Sequence, residues 1–256
     1  MTRSVIILAG GKGTRMQSDL PKVLVELGKR PMIEYVVETV EALNIVPVVV
    51  IGNKGDEVKE YLKNRVDYVL QKEQLGTGDA VSKVKNELKN FIGNILVLYG
   101  DHPLVKKETL EKIFTLQENT GAIITLATTR VDDFRDEFEL FAYYGRILRV
   151  PIVDVVRHRT TDREGRIVAI REAKDCSEEE IKIKEVNPGY YCFDSAWLWQ
   201  NIDKLKCNNI QGEYYLTDLV ELAVKQKKNI QSVEIDPIQC LGANTPEQLR
   251  ELEKFI

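Results

Sequence analysis

Apolar and polar positions along this chain follow two rhythms. Residues 4–9 (SVIILA) form a continuous apolar run, the pattern of a strand buried on both faces of a parallel sheet. From Pro31, the residues Met32, Ile33, Val36, Val37, Val40 and Leu43 recur at helical spacing, and proline suits a first helical turn. Residues 46–52 (VPVVVIG) predict the next strand, 55–63 a short helix and 66–70 another strand. Ala80, Val81, Val84 and Leu88 mark a further helix, with Thr77 as its expected N-cap. A strand at 94–100, a helix at 106–118 and a strand at 122–128 complete the series. Strands alternating with helices predict an α/β fold, a doubly wound, mostly parallel, Rossmann-like sheet.

After Phe141 the rhythm changes. Residues 145–172 read as a long hairpin that turns at 162–165 (DREG), a favourable turn composition. Residues 183–194 read as a strand broken at Asn187–Gly189, and a helix is expected around 214–226. Near the end, Thr245 and Gln248 have the spacing of a capping box, ahead of apolar Leu249, Leu252 and Phe255. With no repeats and no linker rich in Gly, Pro or Ser, one domain over 1–256 is the simplest organisation, its first part about 1–130 and a β-rich second part about 131–256.

Composition narrows the function classes. A chain of 256 residues buries roughly 70–75% of its unfolded surface. Net charge is −4 and no single-sign block stands out, so there is no electrostatic footprint of a nucleic-acid partner. The four cysteines form no C-x-x-C pair and there are two histidines, which argues against a zinc site. Scattered thiols fit a reducing cytosol. The N-terminus lacks the pattern of a secretion signal, and no apolar run approaches the ~20 residues of a membrane span. A cytoplasmic protein with no membrane partner is expected.

The chemistry is concentrated in LAGGKGTRM, residues 8–16, which follows the first strand. Its lysine falls between glycines, so it is not a Walker loop. Met16 occupies the third glycine position of a dinucleotide fingerprint, so that fails too. Glycines still let backbone N–H groups approach a flat base or phosphates, although a plain strand-exit turn would look the same. Arg15 and Lys22, the latter fixed behind Pro21, could straddle a triphosphate.

LAGGKGTRM and then PKVL at 21–24 resemble the signature of sugar-1-phosphate nucleotidyltransferases. QKEQLGTGDAV (71–81), LYGDHPL (98–104), VNPGYY (186–191), QGEYYLTDLV (211–220) and GAN (242–244) follow in the expected order. Together they resemble the uridyltransferase domain of bacterial-type UDP-N-acetylglucosamine pyrophosphorylases, over nearly the whole chain. The resemblance implies UTP and a sugar-1-phosphate as substrates and Mg²⁺ as cofactor. It implies that Leu8, Gly10, Gly11 and Gly13 lie against the nucleotide, that Gln71 and Gln74 read uracil, and that Gly76 and Thr77 pass beside the base. By the same resemblance Arg15 holds the pyrophosphate leaving group, Lys22 the inner phosphates, and Asp101 with Asn244 the metal. Few hard oxygen ligands, completed by phosphates and water, are what Mg²⁺ prefers. Gly145, Glu172 and Asn187 are then expected at the sugar, with Tyr99, Tyr215 and Thr217 as neighbours.

The implied reaction is in-line displacement at the α-phosphorus of UTP by N-acetylglucosamine-1-phosphate. The nucleophile is already anionic, so no general base is required. His102, beside Pro103, reads as a turn residue, and Trp197, Trp199, Tyr214 and Tyr215 as packing. Two departures bear on the sugar: 150–161 looks inserted, and Arg171 and Asp79 replace the residue types usual in the family. The hexapeptide repeats of a C-terminal acetyltransferase β-helix are absent from these residues, so no acetyl transfer is expected of them; homo-oligomerisation is left open. The alternatives are a glucose-1-phosphate uridylyl- or thymidylyltransferase and a non-catalytic nucleotide-sugar-binding regulatory subunit.

Overall fold

The structure is a computed structural model that describes every residue except 12, 17, 152, 155–158 and 161–164. Ten strands build one sheet: β1 (Arg3–Ala9), β2 (Val48–Ile51), β3 (Asp67–Leu70), β4 (Asn94–Tyr99), β5 (Ile124–Arg130), β6 (Gly145–Val150), β7 (Arg166–Arg171), β8 (Glu185–Asn187), β9 (Tyr191–Asp194) and β10 (Ile230–Glu234). Their order is β7-β6-β8-β5-β9-β4-β1-β2-β3, with β10 also paired to β5. The half formed by β4, β1, β2 and β3 is parallel, as its apolar runs predict. The expected parallel pairing holds there and again where β10 runs parallel to β5; the rest of the sheet is antiparallel. β9 enters between β4 and β5 antiparallel to both, and β8, β6 and β7 continue antiparallel. The β-rich second part therefore extends the first sheet.

Helices cover both faces. Val5 and Ile7 of β1 face a core that contains Ile33, Val36 and Val40 of the helix Met32–Glu41 and Leu110, Ile113 and Phe114 of the helix Lys107–Thr120. Ile6 and Leu8 face the other core, with Ala80 and Val81 of Thr77–Lys83, Leu198 of Ser195–Asn201 and Leu219 of Asp218–Lys225. The period-2 side-chain alternation of a strand thus sends one apolar run into two cores.

Two local expectations change. Thr77 is the first residue of its helix, not its cap, and its hydroxyl accepts the Leu216 N–H at 3.0 Å. Residues 214–217 precede the helix Asp218–Lys225 instead of opening it. Within the long hairpin, Val153–Asp154 pairs antiparallel with Arg159–Thr160; the expected turn at 162–165 lies largely outside the described residues. The rest of the 150–161 segment, and its expected place beside the sugar, lie largely outside the described residues. His102 lies at a turn as expected, its N–H donating to the Tyr99 carbonyl and its carbonyl accepting the Val105 N–H, both at 3.4 Å; it is also 7% exposed and packed among aromatic rings, while Trp197 and Trp199 are buried as expected.

The side chain of Arg146 is fully buried, and among the described residues no carboxylate is a hydrogen-bond partner of it. Its guanidinium donates to the carbonyls of Phe141, Ala142, Tyr144 and Ile181 and lies 4.6 Å from the centre of the Phe134 ring. It thereby closes the end of the 3₁₀ stretch Asp136–Tyr143. Arg146→Met would take the guanidinium donor from all four carbonyls, of which Phe141 keeps the Tyr144 N–H, and is expected to lower stability by about 2 kcal/mol, measurable by urea unfolding; an unchanged midpoint would show that water replaces the guanidinium at no cost.

Candidate functional site

The C-terminal ends of β1 and β4 open onto a cavity of about 380 Å³, the position where open α/β sheets bind ligands. Leu8, Gly10, Gly11 and Gly13 line one wall, and Gln71, Gln74, Gly76 and Thr77 another. Arg15, Lys22, Tyr99, Asp101 and Asn244 surround the remainder. Every residue expected at the nucleotide and the metal, with Tyr99 from the sugar set, therefore meets at one cavity. Ala80, Val23 and Glu213 also line it and were missed; Glu213 lies within the QGEYYLTDLV motif, which was the available signal.

Local conformation explains these positions. Gly13 has φ of +59°, and a Cβ there would stand 2.7 Å from the Cβ of Lys22, so the loop touches the lysine segment through an absent side chain. Gly76 has φ of +112°, and a Cβ there would meet the Tyr214 carbonyl at 2.6 Å. Both Tyr214 and Glu213 are thus drawn to the mouth of the cavity. Pro21 starts a 3₁₀ turn, Lys22–Leu24, that buries Val23 and Leu24 and leaves Lys22 facing Asp101.

Gln71 is held by a buried acid. Its Nε2 donates to Asp79 Oδ2 at 2.9 Å and to the Gly76 carbonyl at 3.2 Å, and Asp79 pairs with Lys83 at 2.7 Å. A carboxylate accepts only from N–H, so the amide orientation follows. The Oε1 of Gln71 is left toward Gly10, 3.1 Å from where a Cβ would stand there, as an acceptor at the cavity wall.

Lys22, Asp101 and Asn244 form a compact charged cluster. The ammonium of Lys22 touches Asp101 Oδ2 and lies 2.6 Å from Asn244 Oδ1. Burial opposes the charge of Asp101, but the Lys22 ammonium, His102 and hydrogen bonds to the carboxylate together outweigh it and hold the carboxyl below its usual range. Two hard oxygens thus converge on one cationic point, a donor set that fits a divalent cation. Among the described residues no group of three or more His, Cys, Asp or Glu could cage a metal, so phosphate and water oxygens would complete the shell. Arg15, on the 3₁₀ turn Thr14–Met16, is exposed at the rim.

The other sugar candidates sit beside this cavity instead of lining it. Gly145 pairs in register with Asn187, whose Oδ1 accepts the Gly189 N–H at 3.0 Å. Glu172 Oε1 accepts from the Thr217 hydroxyl at 3.1 Å. Glu172 and Tyr215 line a second cavity of about 430 Å³ with Asp175 and Asp218. Burial raises the Glu172 carboxyl above its usual value against the Thr217 hydrogen bond, and the charges of Asp218 and Asp175 add to the rise. Burial also pushes the Tyr215 hydroxyl up to about 12. Burial raises the Tyr99 hydroxyl above its usual value, and the charges of Glu172 and Asp101 add to the rise.

Residues 5–205 match the model of the MobA-like NTP transferase domain. The chain is 38% identical to the bifunctional protein GlmU of Pelotomaculum thermopropionicum, over 100% of this chain and 52% of that protein. It is 41% identical to the bifunctional protein GlmU of Acinetobacter baylyi, over 99% of this chain and 52% of the relative. It therefore spans about half the length of these relatives. A crystal structure of UDP-glucose pyrophosphorylase complexed with UDP-glucose superimposes with a TM-score of 0.76 at 18% identity, covering 100% of this chain and 98% of that one; this likeness concerns the fold. No helix among the described residues is long and apolar enough to cross a membrane.

Proposed function

The chain belongs to the MobA-like NTP transferase family and is a nucleotidyltransferase, and on that premise we propose that it transfers a uridylyl group from UTP to N-acetylglucosamine-1-phosphate, releasing pyrophosphate. The observation that carries the reading is the convergence, on one cavity, of a glycine-lined wall, the fixed Gln71 acceptor and the cluster of Lys22, Asp101 and Asn244. The resemblance of its motifs to UDP-N-acetylglucosamine pyrophosphorylases supports the choice of sugar.

In this reading the backbone of residues 8–11 lies against uracil. Gln71 Oε1 accepts the uracil N3–H, and Gln74 and Thr77 close the base edge. Arg15 holds the β- and γ-phosphates that leave. Lys22 binds the oxygens of the α-phosphate, exchanging the carboxylate and amide oxygens it touches here for phosphate. Glu172, Asn187, Gly145, Tyr215 and Thr217, reached past Tyr99, hold the sugar. Asp101 and Asn244 would hold Mg²⁺, which when bound draws charge from the phosphates and offsets their repulsion. The sugar phosphate oxygen bonds to the α-phosphorus as the bond to the β-phosphate oxygen breaks. The residues act by positioning two polyanions and stabilising the charge that develops. The second part of the chain, about 131–256, then serves the sugar and the first the nucleotide.

The test is a panel of sugar-1-phosphates and nucleoside triphosphates, with and without Mg²⁺, read by pyrophosphate release. Turnover of UTP with N-acetylglucosamine-1-phosphate, dependent on Mg²⁺, is expected; no use of that sugar at any concentration defeats the reading. Base choice gives a narrower prediction. Asp79→Leu frees the Gln71 amide to rotate and offer N–H to cytosine N3. The preference for UTP over CTP is expected to drop about tenfold, measured by competition. An unchanged ratio would remove Asp79 from base selection.

A further inference from the structure

Asp101 and Asn244 come from distant segments, and their spacing depends on how those segments are joined. Asp101 follows β4, whereas Asn244 ends a stretch that leaves the 3₁₀ turn Pro237–Cys240. Buried aromatic side chains connect the two. The His102 ring stacks on Tyr144 at 6.2 Å with 6° between planes and meets Tyr190 edge-on at 5.7 Å. The Tyr190 hydroxyl donates to the Gln239 carbonyl at 2.8 Å, and the Tyr144 hydroxyl to the Cys240 carbonyl at 2.8 Å. Both hydroxyl protons are thereby committed, so His102 Nδ1–H donates to the Tyr190 oxygen at 3.1 Å. The Tyr144 oxygen lies 3.4 Å from His102 Nε2.

The chain beyond this bridge has little freedom before it reaches Asn244. Gly242 passes so close that a Cβ would stand 2.8 Å from both the Asp101 carbonyl and His102 Cδ2. Gln248 Oε1 then accepts the Asn244 N–H at 2.7 Å. Residues 239–244 are therefore hung from the residue next to Asp101, and Asn244 is delivered to the same cationic point. None of the three aromatic side chains lines the nucleotide cavity.

We infer that His102, Tyr144 and Tyr190 are positioning residues for the divalent-cation seat, holding the Asn244 segment at a fixed distance from Asp101. The inference rests on the reading of Asp101 and Asn244 as metal ligands. Mg²⁺ demands near-ideal octahedral geometry, so drift of one oxygen relative to the other weakens the site before it disturbs the base or the phosphates. Groups that orient metal ligands typically contribute about 10–100-fold to metal affinity.

The experiment uses the full chain and measures UTP binding by calorimetry, once with excess Mn²⁺ and once with EDTA. The quantity read is the gain in affinity that the metal confers. Tyr190→Phe and Tyr144→Phe keep the rings and delete one oxygen each; His102→Phe completes the set, and the tyrosine variants carry the test if it does not fold. In Tyr190→Phe the gain is expected to shrink about tenfold, the affinity in EDTA to stay as in the wild type, and turnover to recover at raised Mg²⁺. Asp101→Asn serves as the reference. If it abolishes the gain while both tyrosine variants keep theirs, the inference is overturned and the metal-site reading stands. If Asp101→Asn keeps the gain, that reading falls and the inference with it. A loss of turnover that no Mg²⁺ concentration restores, or equal weakening in EDTA, assigns these residues to folding alone and also overturns the inference.

Discussion

Asp101→Ala is expected to lower pyrophosphate release by about 10²–10³-fold while the protein stays folded. The carboxylate supplies one of two oxygens that converge on the Lys22 ammonium, and its carboxyl is held below its usual range because that ammonium, His102 and hydrogen bonds together outweigh the burial that opposes the charge. On the proposed reading, removing it deletes a metal ligand and half of the Lys22 anchorage together. The effect on the reaction exceeds the effect on the fold for a physical reason. In the free protein Lys22 keeps Asn244 Oδ1 at 2.6 Å, and its side chain is 12% exposed, so water can replace part of what is lost. In the reacting complex the missing charge faces two phosphates that repel each other, and water screens poorly there. Asp101→Asn preserves the shape, removes the charge and is expected to be impaired to a similar degree. Circular dichroism and thermal melting check the fold, and a coupled phosphate assay checks the rate. Turnover near that of the wild type in either variant would remove Asp101 from the metal site.

The sequence disclosed the parallel half of the fold and the nucleotide cavity because both are written in local pattern. Val5 to Ala9 are apolar without a break, so β1 could only be central. The glycines at 10, 13 and 76 mark places where backbone approaches another group closely. What the sequence concealed is set by contacts between remote segments. Nothing in EVNPGYYCFD tells that Tyr191–Asp194 slips antiparallel between Asn94–Tyr99 and Ile124–Arg130, because a strand buried on both faces looks alike in either orientation. His102 beside Pro103 carries every local sign of a turn. Its burial comes from Tyr144 and Tyr190, 42 and 88 positions away. The same holds for Thr77, a natural cap by type, whose hydroxyl is claimed by Leu216 instead. The sugar candidates stood out singly as motif positions; that Tyr99 lines the glycine-walled cavity while Gly145, Glu172, Asn187, Tyr215 and Thr217 do not appears only in three dimensions.

The burial of His102 carries a second large consequence, for stability in acid. Burial pushes its imidazole down to about 4, with the Lys22 ammonium lowering it further and the Asp101 carboxylate opposing. In the unfolded chain the same ring titrates near 6.5. The folded-state value is the lower of the two, so unfolding takes up a proton between them. The stabilisation is complete above about pH 6.5 and is lost as pH falls toward 4. At about 1.4 kcal/mol per unit, the loss across that window amounts to about 3 kcal/mol. Glu172 and Asp218 act in the opposite sense: burial raises both, so their contribution is present at low pH and fades as pH rises through their folded values. The raw acid profile of the wild type mixes these effects, and the difference between wild type and His102→Phe isolates the histidine. That difference, from urea unfolding at pH 7.5, 6.0, 5.0 and 4.5, is expected to shift by about 3 kcal/mol in favour of the phenylalanine variant as pH falls. Parallel profiles would mean that His102 takes up its proton in the folded protein as readily as in the unfolded chain, which a ring enclosed by Tyr99, Tyr144 and Tyr190 could do only if that enclosure opened.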